Sequence, residues 1–94
     1  MSRLDAGARS EFLTAHGDWS LEGESISRTF VLRDFKESMA FVTQVALASE
    51  VADHHPDIDI RWNKVTVVLS THSAGALTGK DTGLAAEFDT FYRR

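Results

Sequence analysis

The stretch Glu50-Val51-Ala52-Asp53-His54-His55-Pro56-Asp57-Ile58-Asp59-Ile60-Arg61-Trp62-Asn63-Lys64-Val65-Thr66-Val67-Val68-Leu69-Ser70 changes period half-way along. Up to Ala52 the spacing is helical, and Pro56 enforces an end because the residue before a proline is pushed out of the α region. From Asp57 the chain alternates, with Ile58, Ile60 and Trp62 on one side and Asp57, Asp59 and Arg61 on the other. Val65, Val67 and Leu69 repeat the alternation. Asn63-Lys64 between the two runs reads as a two-residue hairpin turn, with Asn tolerating positive φ.

Working back from this junction, the helix begins at Asp34. Asp34-Phe35-Lys36-Glu37 is a capping-box pattern, and Phe35, Met39, Val42, Val45, Ala46, Ser49 and Ala52 form the expected core stripe. Upstream, Ser25–Leu32 alternates as a strand, although Arg28 falls on the Ile26 face. Gly23-Glu24 is a turn linking it to an extended Trp19–Glu22. Leu4 to His16 is a short helix with Leu4, Ala8 and Phe12 on one face. Downstream, Thr78-Gly79-Lys80-Asp81 is a second capping box that opens a helix through Leu84, Ala85, Phe88 and Phe91. The order α-β-β-α-β-β-α predicts an α+β two-layer sandwich, a four-stranded antiparallel sheet with three helices on one face. No linker, repeat or low-complexity stretch divides residues 1–94, so one domain is expected.

Composition excludes several functions. The chain has 94 residues, 43% hydrophobic and 26% charged, with a net charge of −4. No basic tract precedes Arg93-Arg94, which argues against direct binding to nucleic acid or an anionic membrane. The lack of cysteine removes disulfides, thiolate metal sites and a Cys nucleophile, and fits a cytoplasmic protein. The longest apolar run is too short to span a bilayer, and the N-terminal residues carry no apolar signal-peptide core.

Three histidines are placed for chemistry. His54 and His55 lie at the end of the long helix and His72 follows the last strand, so substitutions there are expected to spare the core. Histidine both gives and takes protons near neutral pH. Each residue also has a plainer reading. His54-His55-Pro56 could be a polar helix terminus, and Glu50, one turn before His54, an ordinary i,i+4 surface pair. His16 is read as bonding helix-end carbonyls, and Trp19 and Trp62 as core or interface aromatics. Adjacent histidines do not share a helical face, which makes them a poor zinc pair.

The combination is more specific than its parts. Glu50-x-x-x-His54-His55-Pro56, then 14 residues, then Thr71-His72, then Ala74-Gly75-x-Leu77-Thr78-x-x-Asp81, resembles the pterin-4a-carbinolamine dehydratase family over about Glu11 to Phe91. The resemblance implies a hydro-lyase that converts 4a-hydroxytetrahydropterin to quinonoid dihydropterin. This reaction recycles tetrahydropterin for aromatic amino-acid hydroxylases, which implies a functional link to a phenylalanine hydroxylase. No metal or organic cofactor is implied, and the assembly is a homodimer or homotetramer. By the resemblance His54, His72 and His55 are catalytic, His54 and His72 as acid and base and His55 chiefly holding the substrate. Asp53, Ser70, Thr71, Ser73 and Asp81 join His55 in binding substrate. Asp81 is either a helix cap or an orienting carboxylate. Asp57–Arg61 is similar to bacterial members, so the transcription-factor role of animal members is not implied. The alternative is a non-catalytic binding or assembly protein that keeps the fold.

Overall fold

The computed structural model of the chain describes residues 2–92, and its elements follow the expected order. Helix α1 (Ala6–Ala15) starts where the Asp5 carboxylate accepts from the Ala8 N–H. Strands β1 (Ser20–Glu22) and β2 (Ser25–Val31) form the first hairpin, with Gly23 supplying the left-handed residue of its turn. The long helix α2 (Phe35–Ala52) follows, then the hairpin of β3 (Asp57–Arg61) and β4 (Lys64–Leu69). A short 3₁₀ turn (His72–Ala74) and α3 (Gly79–Phe91) close the chain.

All strand pairs are antiparallel in the order β1-β2-β4-β3, so β3 forms one edge. The helices cover the face carrying Ile26, Phe30, Val65, Val67 and Leu69. These five pack with Phe41, Val45, Leu77, Leu84 and Phe88 into the core. Among the described residues, no helix is long and apolar enough to cross a membrane.

Expectations shift at two elements. The turn of the second hairpin is Trp62-Asn63, one residue earlier than the alternation indicates, and Trp62 adopts a left-handed φ of 50°. Asn63 is held elsewhere: its carbonyl accepts from the Leu32 N–H at 2.8 Å and its amide donates to the Leu32 carbonyl. Trp62 thereby leaves the Ile58–Ile60 face and is 65% exposed, whereas Trp19 is in the core.

The buried stripe of α2 is Ser38, Phe41, Val45 and Ser49, while Phe35, Met39, Ala46 and Ala52 of the expected stripe are exposed. Phe41 turns inward to meet Phe30, with ring centroids 4.6 Å apart. The two serines tolerate burial because each hydroxyl donates to the carbonyl four residues back, Asp34 and Val45.

Helix α2 stops at Ala52, where the helical spacing ends, and leaves out His55, the residue that Pro56 keeps out of the helix. Asp53 takes the left-handed conformation, its N–H bonding the Glu50 carbonyl and the His54 N–H bonding that of Ser49. This is a Schellman closure with Asp in the position usually held by Gly.

Arg28, out of place in the strand pattern, is half of a largely buried ion pair. Its Nη1 lies 2.8 Å from Asp89, and its guanidinium stacks over Phe30 and Tyr92. Asp89 also accepts from the Trp19 indole at 2.9 Å and lies 2.8 Å from His16 Nδ1. The His16 imidazole therefore pairs with a carboxylate across the fold instead of capping its own helix.

Glu24 forms a second hub. Arg9 and Arg3 pair with its carboxylate at 2.7 and 2.9 Å, and the Leu77 N–H donates to it at 3.0 Å. The Arg9 hydrogen bond, followed by the Leu77 N–H, holds its pKa down to about 2 from an ordinary 4.5. A carboxylate with a lowered folded-state pKa adds stability that is fully present above its unfolded value and disappears as pH falls through the folded value. Wild type is therefore expected to exceed Glu24→Gln in urea midpoint at about pH 6, with the gap closing from about pH 4.5 towards pH 2. A gap that does not change with pH would contradict this ion-pair account.

Candidate active site

The end of α2 and the segment after β4 converge because β3 and β4 form a hairpin, which returns the chain beside the helix terminus. There His54, His55 and His72 line one cleft of about 270 Å³, together with Asp53, Ser70, Thr71 and Ser73. That is near the lower end of small-molecule sites. Lys80, on the first turn of α3, also lines it, and the sequence reading missed this residue. Its signal is positional: it lies one residue before Asp81, on the turn that faces the histidines.

Asp81 is fully buried, and it is both a helix cap and an orienting carboxylate. Its Oδ2 caps α3 by accepting from the Thr78 N–H at 2.9 Å, and also accepts from the Thr71 hydroxyl at 2.8 Å. Its Oδ1 faces His54 Nε2 at 2.6 Å. The Thr78 hydroxyl lies 2.7 Å from that of Thr71 and completes the chain of buried donors. One carboxylate thus fixes a helix start, a loop hydroxyl and an imidazole. With Nε2 turned to Asp81, Nδ1 is the other His54 nitrogen.

The His54 side chain is only 11% exposed, so it belongs to the buried network and is not a peripheral helix-end group. Replacing it by alanine would strip a partner from a buried carboxylate, contrary to the expectation that such changes spare the fold. Glu50 pairs with His55, at 2.9 Å from its Nε2, and not with His54. The Schellman turn at Asp53 redirects the chain between them, so helical spacing no longer applies to residues 54 and 55. His55 is largely exposed, in keeping with a place at the cleft rim.

His72 sits on the 3₁₀ turn, which ends at Gly75 with a left-handed φ of 62° and is closed by the Thr71–Ala76 bridge. Asp81 lies behind His54 and does not line the cleft. The Ser70 hydroxyl donates to the Glu24 carbonyl at 2.8 Å. Among the described residues, no group of three His, Asp or Glu side chains is arranged to hold a metal ion.

An α+β sandwich with a histidine-lined polar cleft at one end, and an aspartate buried beneath it, defines a small protein suited to proton transfer. Residues 2–91 match the family described as Pterin 4 alpha carbinolamine dehydratase, and the chain belongs to that family. A Chloroflexus aurantiacus relative, provisionally named pterin-4-alpha-carbinolamine dehydratase, is 53% identical over 89 residues, covering 95% of this chain and 96% of its own. A Roseiflexus castenholzii protein of the same provisional name is 58% identical over 71 residues, 76% of each chain. The solved transcriptional coactivator/pterin dehydratase of Brucella melitensis superposes with a TM-score of 0.93 at 33% identity, covering 98% of this chain and 100% of its own. A pterin dehydratase-like protein solved as a RuBisCO assembly factor of the alpha-carboxysome shares the fold alone. Its TM-score is 0.65 at 20% identity, over 79% of this chain and 86% of its own.

Proposed function

We propose that this protein dehydrates 4a-hydroxytetrahydropterins to quinonoid dihydropterins and so returns tetrahydropterin to an aromatic amino-acid hydroxylase. The observation that carries the reading is the convergence of His54 and His72, from two separate elements, on one cleft, with His54 anchored to buried Asp81. The reaction is redox-neutral. A protonated imidazole gives its proton to the 4a oxygen, and the C4a–O bond breaks to release water. A neutral imidazole takes the N5 proton, and the electrons left behind form the C4a=N5 double bond. His54 and His72 take these acid and base roles. His55, with Asp53, Ser73 and the backbone at Ser70 and Thr71, holds the flat ring. Asp81 acts through His54. Such proton transfer contributes about 10²–10⁴-fold, a useful scale for a step that also runs unaided.

Stopped-flow decay of the carbinolamine tests the reading. Wild type should accelerate it, chelator should leave the rate unchanged, and His55→Ala should raise KM more than it lowers kcat. Decay no faster than in buffer would point to the alternative, a binding or assembly protein on the dehydratase fold.

The assembly follows from surface chemistry. Leu47 and Val51 on α2 are 64% and 90% exposed, and with Ala48 and Phe91 they border an apolar groove against α3. Strand β3 leaves an unpaired edge. Both features favour a homodimer or a dimer of dimers. Light scattering at micromolar concentration should give two or four chain masses, and Val51→Glu should lower that number. A single-chain mass would refute this assembly.

A further inference from the structure

His54 and His55 each have a carboxylate of their own, Asp81 and Glu50. His72 differs: none of the hydrogen bonds or ion pairs of the described residues involves its imidazole, so its place in the cleft is set through its backbone. That backbone runs from Ser70 to Leu77, outside the sheet, and both of its ends meet one residue. The Ser70 hydroxyl donates to the Glu24 carbonyl at 2.8 Å, and the Leu77 N–H donates to Glu24 Oε1 at 3.0 Å. The Leu77 carbonyl in turn accepts from the Leu4 N–H at 2.9 Å, and Arg9 Nε donates to the Leu4 carbonyl at 2.8 Å.

We propose that Glu24 is a positioning residue for the reaction: from the β1–β2 turn it clamps both ends of the segment that carries His72 and so sets the separation of His72 from His54. The clamp is itself braced. Arg9 reaches Glu24 through two nitrogens, at 2.7 and 3.2 Å, and donates to the Gly23 carbonyl. Arg3 adds a third contact at 2.9 Å. The carboxylate stays ionised well into the acid range because these cations and the Leu77 N–H hold its pKa at about 2. Helix α1, which contributes nothing to the cleft lining, thereby acts on the site through one hydrogen-bonded path. His54 is held by α3 through Asp81, whereas the segment that carries His72 is held at Thr71 by the same carboxylate and at both ends by Glu24, which α1 braces.

This inference rests on the dehydratase reading for its kinetic arm and is independent of it for its spectroscopic arm. The experiment is a double-mutant cycle. In the wild-type background Glu24→Ala, which frees the Leu77 end and the arginines but keeps the backbone carbonyl that holds Ser70, should lower kcat about ten- to a hundred-fold, the scale of an ångström-level misplacement of a catalytic group. In a His72→Gln background the same change should have almost no further effect, because the group it positions is gone. Glu24→Gln, which keeps an acceptor for the Leu77 N–H, should recover part of the loss. Equal losses in both backgrounds would mean a merely structural role and would overturn the proposal. In parallel, ¹H–¹⁵N spectra of the imidazoles should show His72 shifted or broadened in Glu24→Ala and His54 unchanged. An unchanged His72 signal refutes the clamp even if wild type proves inactive on the carbinolamine. A shifted His72 signal with an inactive wild type supports the clamp while removing the dehydratase reading.

Discussion

His54→Gln is expected to lower carbinolamine turnover by about 10²–10⁴-fold, the range that general acid–base catalysis supplies. Glutamine is the informative replacement because its amide N–H can still donate to Asp81, so the buried carboxylate keeps a partner while the titratable nitrogen is lost. Asp81→Asn should reduce turnover on a comparable scale by another route. If its amide nitrogen faces His54, donor meets donor, and the imidazole must change tautomer or turn away. If its oxygen does, the Thr71 hydroxyl and the Thr78 N–H both lose their acceptor at Oδ2. Because Asp81 acts through His54, the double variant should be little worse than His54→Gln alone. Turnover by His72→Gln should also fall by orders of magnitude with little loss of stability, since residue 72 is exposed. Stopped-flow rates and urea midpoints measured together separate these effects. Wild-type rates in both histidine variants would remove the assignment of acid and base.

The largest effect on stability is expected at Asp89, far from the cleft. Asp89→Ala leaves the Arg28 guanidinium, 13% exposed, and the buried Trp19 indole without their shared acceptor. Arg28 Nε is already a buried nitrogen with no hydrogen-bond partner, and the carboxylate that stays near the guanidinium, Asp18 at 3.4 Å, is 77% exposed and a weak substitute. Removing one member of a buried pair costs about 3–5 kcal/mol. A domain of this length has roughly 5–14 kcal/mol in all, so the melting temperature should drop by about 15 °C or more. Replacing both partners with apolar residues, Arg28→Met with Asp89→Leu, should recover part of that loss because no uncompensated charge is left. A loss under about 1 kcal/mol in Asp89→Ala would show that the pair is solvated and weak.

Neither effect can be ranked from the sequence. Arg28 reads as a flaw in a strand, because alternation records which face a residue takes and not what waits there. Its partner lies 61 residues away on α3, brought across by the packing of that helix on the sheet. His16 escapes local reading for the same reason. The stripe of α2 is ambiguous because this helix is apolar on more than one face. A hydrophobic period selects a side only when the other side is polar. Helix–sheet packing chose the face with Phe41, and two serines could follow it inward because their hydroxyls bond within the helix.

The histidine set is legible because proline, capping boxes and strand alternation place element ends, and side chains at element ends are free to meet. By itself the sequence determined the order α-β-β-α-β-β-α, both hairpins, the placing of His54, His55 and His72 at element ends, the capping box of α3 and the Asp34 cap of α2, although Glu37 there accepts from the Arg33 N–H and does not close the second box. These depend on local rules: side-chain oxygens that satisfy open N–H groups, proline geometry and the two-residue period of a strand. Tertiary structure alone decided which carboxylate serves which histidine. Asp81 reaches His54, Glu50 reaches His55, and Glu24 holds the loop beneath His72, over separations of 27, 5 and 53 residues to their hydrogen-bonded partners. Those pairings depend on the angle at which a helix end leaves its last turn and on the seating of α1 and α3 against the sheet, and no local spacing encodes either one.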